Sequence, residues 1–433
     1  MMNTNTPSAL PDDTSRLREF FLGRQPILNR EQGVVAYELL FRRAAIGPAG
    51  VTDDLSATAS VITRLLELGP RNVVGDALAF LNADAAVLHG DFIELLPKEH
   101  VVLEILETVQ PTPELQERVT TLARAGYTFA LDDVVDDRAH LQPLLALVSI
   151  VKIDITGLAP QHLSALARKF QAQGKQLLAE KVETRAEFDA CLQLGFDYFQ
   201  GYYFAKPAIL SGKALTPSQT TILQLMTMIA AEADNADIER ELKQDASLGL
   251  SLMRLLGAPG VGGGRRIDSL SQALLVLGQR QLQRWLQILL YAEGGKSGRS
   301  NQAPSPLLVL ATMRGKLMEL TVQKLKPGNR NMADVAFTVG MMSLMDTLFG
   351  MPMEQILAQI AVADDVGAAL RNRDGWYGEM LQMTEYLELL EDNYPMLLPL
   401  LHKLELSAEE LGKLQLDASA WSSAIVASMC TPA

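Results

Sequence analysis

Two adjacent carboxylates, Asp132-Asp133, end the apolar run Tyr127-Thr128-Phe129-Ala130-Leu131 and precede the polar loop Asp136-Asp137-Arg138. Such a run suits a parallel strand buried on both faces, and in barrel enzymes the C-terminal end of such a strand carries the chemistry. Successive strand residues point to opposite sides, so the two carboxylates cannot enter one pocket in the same way. One can bind a metal directly while the other acts through water. An isolated Asp-Asp is more often a solvated turn. Repetition is what sets this chain apart from that case.

The figure of a short apolar run ending in a polar residue recurs. Val34-Val35-Ala36-Tyr37 leads to Glu38, with Arg42 just beyond, and Ala79-Phe80-Leu81 leads to Asn82. Val101-Val102-Leu103 leads to Glu104, Ser149-Ile150-Val151 to Lys152, Gln176-Leu177-Leu178-Ala179 to Glu180, and Phe196-Asp197-Tyr198-Phe199 to Gln200. From Asn82 onward the polar ends fall 20 to 28 residues apart. Helix-like segments lie between them at Thr112–Ala125, Gln161–Gln173 and Arg185–Leu194, as repeated βα units require. Closing such units into a barrel gathers every polar strand end at one mouth. Acids, an amide and a lysine gathered there favour an oxygen-rich metal site, which suits Mg²⁺ or Mn²⁺.

At these residues the chain resembles the EAL domain, the cyclic-di-GMP phosphodiesterase fold, followed by an HDOD domain. The Glu-Ala-Leu signature stands as Glu38-Leu39-Leu40, with the family's arginine at Arg42. The family asparagine matches Asn82, its Glu-x-x-Glu pair Glu104 and Glu107, its double aspartate Asp132-Asp133, and its Lys-Ile-Asp Lys152-Ile153-Asp154. Ala179-Glu180-Lys181-Val182-Glu183-Thr184 matches Ala-Glu-Gly-Val-Glu-Thr, and the terminal motif stands as Gln200-Gly201-Tyr202-Tyr203-Phe204-Ala205-Lys206-Pro207. The resemblance implies a fold of α/β plus all-α type, an EAL-type (β/α)8 TIM-like barrel followed by an all-helical HDOD domain. It also implies metal ligands Glu38, Asn82, Glu104, Asp132 and Glu180. Asp133 acts through water, Lys152 orients or deprotonates the nucleophile, Arg42 holds a phosphate and Gln200 completes the wall. Glu38 counts with Lys152 and Asp133 among the catalytic residues. In the family, two Mg²⁺ or Mn²⁺ ions share a bridging water that attacks phosphorus, giving linear pGpG.

Two departures bear on turnover. The family's glycine-containing loop after the double aspartate, which shapes the metal site and a dimer contact, is replaced by Val134-Val135-Asp136-Asp137-Arg138-Ala139-His140-Leu141. Lys181 stands where the family has glycine. Its stem is long enough to reach Glu107, Glu183 or the metal cluster, and a Lys181–Glu107 pair is expected to leave a second metal poorly held. The acidic set points to hydrolysis; the altered loop and Lys181 point to a nucleotide sensor or scaffold. The balance falls on a degenerate EAL domain acting as sensor or scaffold, with metal-dependent cyclic-di-GMP hydrolysis as the alternative.

Composition narrows the partners. The chain has 433 residues, 48% hydrophobic and 21% charged, which suits two globular domains. Its net charge of −13 argues against nucleic-acid binding, which needs a basic face, but not against an anionic dinucleotide held through metal and Arg42. Cys191 and Cys430 form no C-x-x-C and read as reduced thiols. No run of 18 apolar residues and no signal-peptide core is found, so a cytoplasmic protein without membrane contact is expected. The resemblance adds a protein partner for the HDOD domain and admits a homodimer.

The expected layout is a disordered lead-in over 1–18, a barrel over 19–207, a linker over 208–217 and a helical domain over 218–433. Within the barrel, Glu19–Arg43 reads as a hairpin, Asp53–Leu68 as a helix and Val73–Phe80 as the approach to the strand ending at Asn82. Beyond Pro207 the apolar period is helical: Leu248, Leu252, Leu255 and Leu256 form one stripe, Leu282, Trp285, Leu286 and Leu289 another. Ser269-Leu270-Ser271-Gln272 reads as a capping box, and further helices are expected over Pro306–Lys324, Met332–Phe349, Met353–Ala363 and Gly375–Glu391. Only His402 of five histidines lies in this half, so the metal chemistry of histidine-rich HD hydrolases is not expected there. Gly257–Arg266 lacks the Gly-Lys-Ser/Thr of a phosphate loop and reads as a connection between helices.

Overall fold

A computed structural model describes residues 20–43, 73–135, 142–205, 217–245, 248, 252, 270–294, 305–358, 360 and 362–430. The lead-in, the Asp53–Leu68 helix, the 136–141 loop with His140, most of the linker and the 257–266 segment lie outside the described residues.

Eight strands close a barrel in sequence order: β1 (Phe20–Asn29), β2 (Val34–Arg43), β3 (Leu78–Ala83), β4 (Val101–Ile105), β5 (Thr128–Leu131), β6 (Ile150–Asp154), β7 (Gln176–Glu180) and β8 (Tyr198–Gln200). The hairpin is present, and it makes β1 antiparallel to both β2 and β8 while every other pair is parallel. The helices α1 (Ala85–His89), α2 (Pro113–Ala125), α3 (Gln142–Leu145), α4 (Pro160–Ala172) and α5 (Arg185–Gln193) fill the connections. Their starts follow local chemistry. Thr112 caps α2 by accepting from Leu115 N, and Thr184 with Glu187 forms a full capping box on α5. Val73-Val74 is helical rather than extended, because the strand begins only at Leu78.

The barrel interior is a compact apolar plug of Ile27, Ala36, Phe80, Val102, Ala130, Ile150 and Leu178, with Tyr198 against it. Strand alternation sets what lies above. Two residues past Ala36, Phe80, Val102, Ala130, Ile150, Leu178 and Tyr198 come Glu38, Asn82, Glu104, Asp132, Lys152, Glu180 and Gln200. Because β1 runs the other way, the equivalent step from Ile27 is backward, to Gln25. One apolar layer therefore dictates one polar layer.

The second half contains α6 (Pro217–Ala230), α7 (Asn235–Leu242), α8 (Leu270–Gly294), α9 (Pro306–Leu325), α10 (Arg330–Met342), α11 (Met345–Phe349), α12 (Met353–Leu357), α13 (Asp364–Asn372), α14 (Gly375–Glu388), α15 (Leu390–Lys403) and α16 (Ala408–Cys430). No strand occurs after Gln200 among the described residues. The stripe Leu282, Trp285, Leu286 and Leu289 is buried, as are Leu248 and Leu252, while Leu255 and Leu256 fall outside the described residues. The expected Met332–Phe349 helix divides at Ser343-Leu344, and Met353–Ala363 shortens to α12. The expected Gly375–Glu391 breaks at Leu389, whose φ of −116° and ψ of 53° are not helical. The apolar stretch Arg330–Phe349 is long enough to cross a membrane but is mostly buried inside this half. Gly340 lets α10 meet α9 backbone to backbone, since a Cβ there would lie 2.6 Å from Arg314 C. Cys191 is buried, which pushes its thiol up to about 12 and leaves it unreactive.

Candidate functional site at the barrel mouth

The polar layer converges on one atom. Lys152 Nζ, on a side chain only 1% exposed, stands 3.1 Å from Glu38 Oε2, 2.8 Å from Glu104 Oε1, 2.8 Å from Asp132 Oδ1 and 3.0 Å from Glu180 Oε1. Asn82 Nδ2 donates to Glu38 Oε1 at 3.4 Å, and Gln200 Nε2 donates to Glu38 Oε2 and Gln25 Oε1 at 2.7 Å each. One ammonium cannot balance four carboxylates. Burial accordingly lifts Glu104 well above the usual carboxylate range, aided by Glu38 and only partly opposed by Lys152. Burial pushes Glu180 up to about 8 and also raises Asp132. Burial disfavours charge on Glu38 too, but the Lys152 charge and the hydrogen bonds from Gln200, Lys152 and Asn82 outweigh it and hold that carboxyl low. Burial opposes the charge on Lys152, yet the surrounding acids raise its pKa well above the ordinary lysine value.

Acceptors remain unspent. Asn82 Oδ1, Glu104 Oε2, Glu180 Oε2 and Gln200 Oε1 are buried without a hydrogen-bond partner. A set of carboxylate and amide oxygens with lone pairs left over is the donor chemistry of a hard divalent cation. Among the described residues no three such side chains are already spaced for an ion, and the Lys152 ammonium holds the centre of the cluster. The residues fit such a group once that ammonium moves aside.

Above the cluster lies a cavity of about 600 Å³ whose lining includes Glu38, Asn82, Glu107, Asp132, Asp133, Glu180, Lys181, Glu183 and Gln200. The structure thus brings Glu38, Asn82, Glu104, Asp132, Lys152, Glu180 and Gln200 into contact and sets Asp133, Glu107 and Glu183 around them. Arg42 lies on β2 opposite Phe21, but its side chain is outside the described residues. Asp133 leaves strand geometry at φ 49°, so simple alternation does not govern its direction.

Lys181 corrects an expectation. Its Nζ donates to Asp154 Oδ2 at 2.6 Å rather than pairing with Glu107. The reason lies in register: Asp154 and Glu180 are opposed across β6 and β7, so the next residue emerges beside the end of the neighbouring strand. Lys181 also sits at φ 56°, a left-handed conformation that favours glycine. Gly201 is stricter, because at φ 145° a Cβ would lie 2.1 Å from Val182 O.

Three features escape the reading of sequence motifs. Gln25 shares the Gln200 amide, and counting backward along an antiparallel β1 would have found it. Asp154 holds Lys181. The third lies across the two halves. Tyr202 OH donates to Glu388 Oε2 at 2.8 Å and accepts from Arg314 Nη2 at 2.6 Å, while Arg314 forms a fork on Glu388, with Nε to Oε1 and Nη2 to Oε2 both at 2.8 Å. Thr347 Oγ1 donates to Ala205 O at 3.0 Å, and Arg24 donates to Ser419 Oγ of α16. No pattern within either half marks these contacts.

Comparison with known proteins defines the class. The EAL domain model matches residues 9–207 and the HDOD domain model residues 215–346. The chain belongs to the family of proteins that join an EAL domain to an HDOD domain. It is 34% identical over 373 residues to the cyclic di-GMP phosphodiesterase CdgJ of Vibrio cholerae, covering 85% of this chain and 84% of that protein. It is 30% identical over 374 residues to the uncharacterized protein YuxH of Bacillus subtilis, covering 85% and 90%. Among solved structures, the EAL-domain protein YkuI of Bacillus subtilis, in complex with cyclic-di-GMP and calcium, is 23% identical. It covers 54% of this chain and 73% of its own, with a TM-score of 0.36.

Proposed function

We propose that this is a signal-transduction protein whose barrel binds cyclic-di-GMP with the help of a divalent cation and whose helical half carries the output to a protein partner. The observation that carries the reading is the convergence of Glu38, Glu104, Asp132 and Glu180 on one point, with acceptors to spare, beneath a cavity large enough for a nucleotide. In this reading Glu38, Asn82, Glu104, Asp132 and Glu180 hold Mg²⁺ or Mn²⁺. A bound divalent ion would supply the positive charge that admits a phosphodiester to an acidic cavity and stabilises charge developing on it. Lys152, whose ammonium sits among these carboxylates, would supply a further positive charge to the phosphate side of the ligand. Asp133 orients water at the cavity edge, Gln200 fixes Glu38, and Arg42 takes a phosphate oxygen.

A second reading, hydrolysis to linear pGpG, is supported by the full acid–amide–lysine set and by the name of the Vibrio cholerae relative. Sensor and enzyme are separated by incubating the purified chain with cyclic-di-GMP and Mn²⁺ and following pGpG by chromatography. Binding with negligible pGpG supports the sensor. Steady turnover abolished by Glu104→Gln supports the enzyme. Neither binding nor turnover would refute both.

A further inference from the structure

The barrel does not enclose its own cavity. Leu310 from α9, with Glu388 and Leu389 at the break between α14 and α15, line the same space as Gln25, Gln200 and Tyr202. We infer that the helical half builds the outer wall of the ligand site, a wall that receives a purine base while the carboxylate floor faces the phosphates.

The chemistry of the two sides differs. The floor is anionic and hydrogen-bonding. The Glu388 carboxylate in the wall already receives both arms of the Arg314 guanidinium and the Tyr202 hydroxyl, so it presents little uncompensated charge. Beside it the cavity is lined by the half-buried Leu389 and Leu310 and, from the barrel, by Pro26, the buried Phe204 and Arg24, whose guanidinium is engaged by Val73 O and Ser419 Oγ. An apolar wall over a polar floor suits a flat heterocycle joined to a phosphodiester. Leu389 is directed there by the helix break, which turns the chain between Glu388 and Leu390.

The wall is also tied to the floor. Tyr202 follows Gln200 by two residues, and the intervening Gly201 is held against Val182, with Val182 N donating to Gln200 O at 3.0 Å and Tyr203 N to Val182 O at 3.2 Å. The chain from the Arg314–Glu388–Tyr202 junction to the Gln200–Glu38 hydrogen bond is therefore short and pinned at its midpoint. A ligand touching both wall and floor would bind less well if either were displaced.

This inference rests on the nucleotide reading above. Its test is calorimetric titration of cyclic-di-GMP into the full chain with Ca²⁺, for wild type, Leu389→Glu and Leu310→Ala, with hydrogen exchange of the Tyr386–Leu390 segment as a second measurement. Thermal melting of each variant checks that it folds. The wall predicts at least tenfold weaker binding for Leu389→Glu, severalfold weaker binding for Leu310→Ala, and slower exchange of the segment in wild type when nucleotide is added. Wild-type binding that both substitutions leave unchanged, with no added protection, removes the wall and leaves the nucleotide reading standing. Absence of nucleotide binding by wild type and by both variants removes the reading and the wall together.

Discussion

Each half of the molecule has a fully buried cation among carboxylates, Lys152 in the barrel and Arg314 in the helical half, and the two solutions are opposites. In the barrel, the Lys152 ammonium meets four acids at 2.8–3.1 Å, and buried oxygens of Glu104 and Glu180 are left without hydrogen bonds. In the helical half, the Arg314 guanidinium is matched to its partners: a two-armed contact with Glu388, one bond each to Glu385 and Ser343, and one to Tyr202. A rigid fork satisfied on all sides is a clamp, whereas a point charge surrounded by more acid than it can balance holds a place that a stronger cation can take. Charge balance, more than burial, separates a ligand site from a structural pair.

The largest effect is expected at the clamp. Arg314→Met leaves Glu388 without its cation, while Glu385 keeps Arg373, and should lower stability by about 3–5 kcal/mol, the usual cost of removing one partner of a buried pair. Thermal and denaturant unfolding measure it, and Mn²⁺ should not restore the loss. Lys152→Met should destabilise the metal-free protein by a similar order, but here Mn²⁺ should recover most of it, because the ion replaces the missing charge. Rescue of both variants, or of neither, would erase the distinction between the two clusters.

Proton linkage provides a subtler comparison. Glu180 is raised from 4.5 to about 8. The folded state therefore holds a proton there that the unfolded chain releases near 4.5, and this contribution to metal-free stability falls as pH climbs through that window. Metal needs the ionised form, so Mn²⁺ binding should strengthen from pH 6 to pH 8 and release protons. Glu180→Gln should lessen that pH dependence of metal affinity, leaving the part that belongs to Glu104 and Asp132.

The smallest effect belongs to Lys181. A left-handed non-glycine residue costs about 1–2 kcal/mol, and an ion pair whose lysine is more than half exposed, though Asp154 itself is buried, returns about 0–1 kcal/mol. Lys181→Gly should therefore leave stability unchanged or raise it by about 1 kcal/mol, as unfolding curves would show. A clear loss would mean that the Asp154 contact matters more than its exposure suggests.

Much of the barrel was legible because a single rule generates it. Each strand is a short apolar run, alternate residues of which face the interior, and it ends in a polar residue at the mouth, the pattern that marks Glu38, Asn82, Glu104, Asp132, Lys152, Glu180 and Gln200 in the sequence. Gln25 was missed because the rule runs backward on the antiparallel first strand. The Lys181 partner was missed because a positive φ redirects a side chain that strand alternation would place elsewhere. The helix breaks at Ser343-Leu344 and Leu389 fall at residues that are neither glycine nor proline, so nothing in the local sequence marks them. The Arg314–Glu388–Tyr202 contact joins residues 112 and 186 positions apart, a relation that only the folded chain contains.

At the barrel mouth, a metal-assisted nucleotide site requires that the cation and the nucleotide bind together. Titrating cyclic-di-GMP into the full chain by calorimetry, with Ca²⁺ and then with chelator, tests it most directly. Saturable binding with the cation, at least tenfold weaker binding without it, and loss of the cation's effect in Glu104→Gln are expected. Equal affinity with and without the cation, or binding that Glu104→Gln leaves untouched, would contradict it.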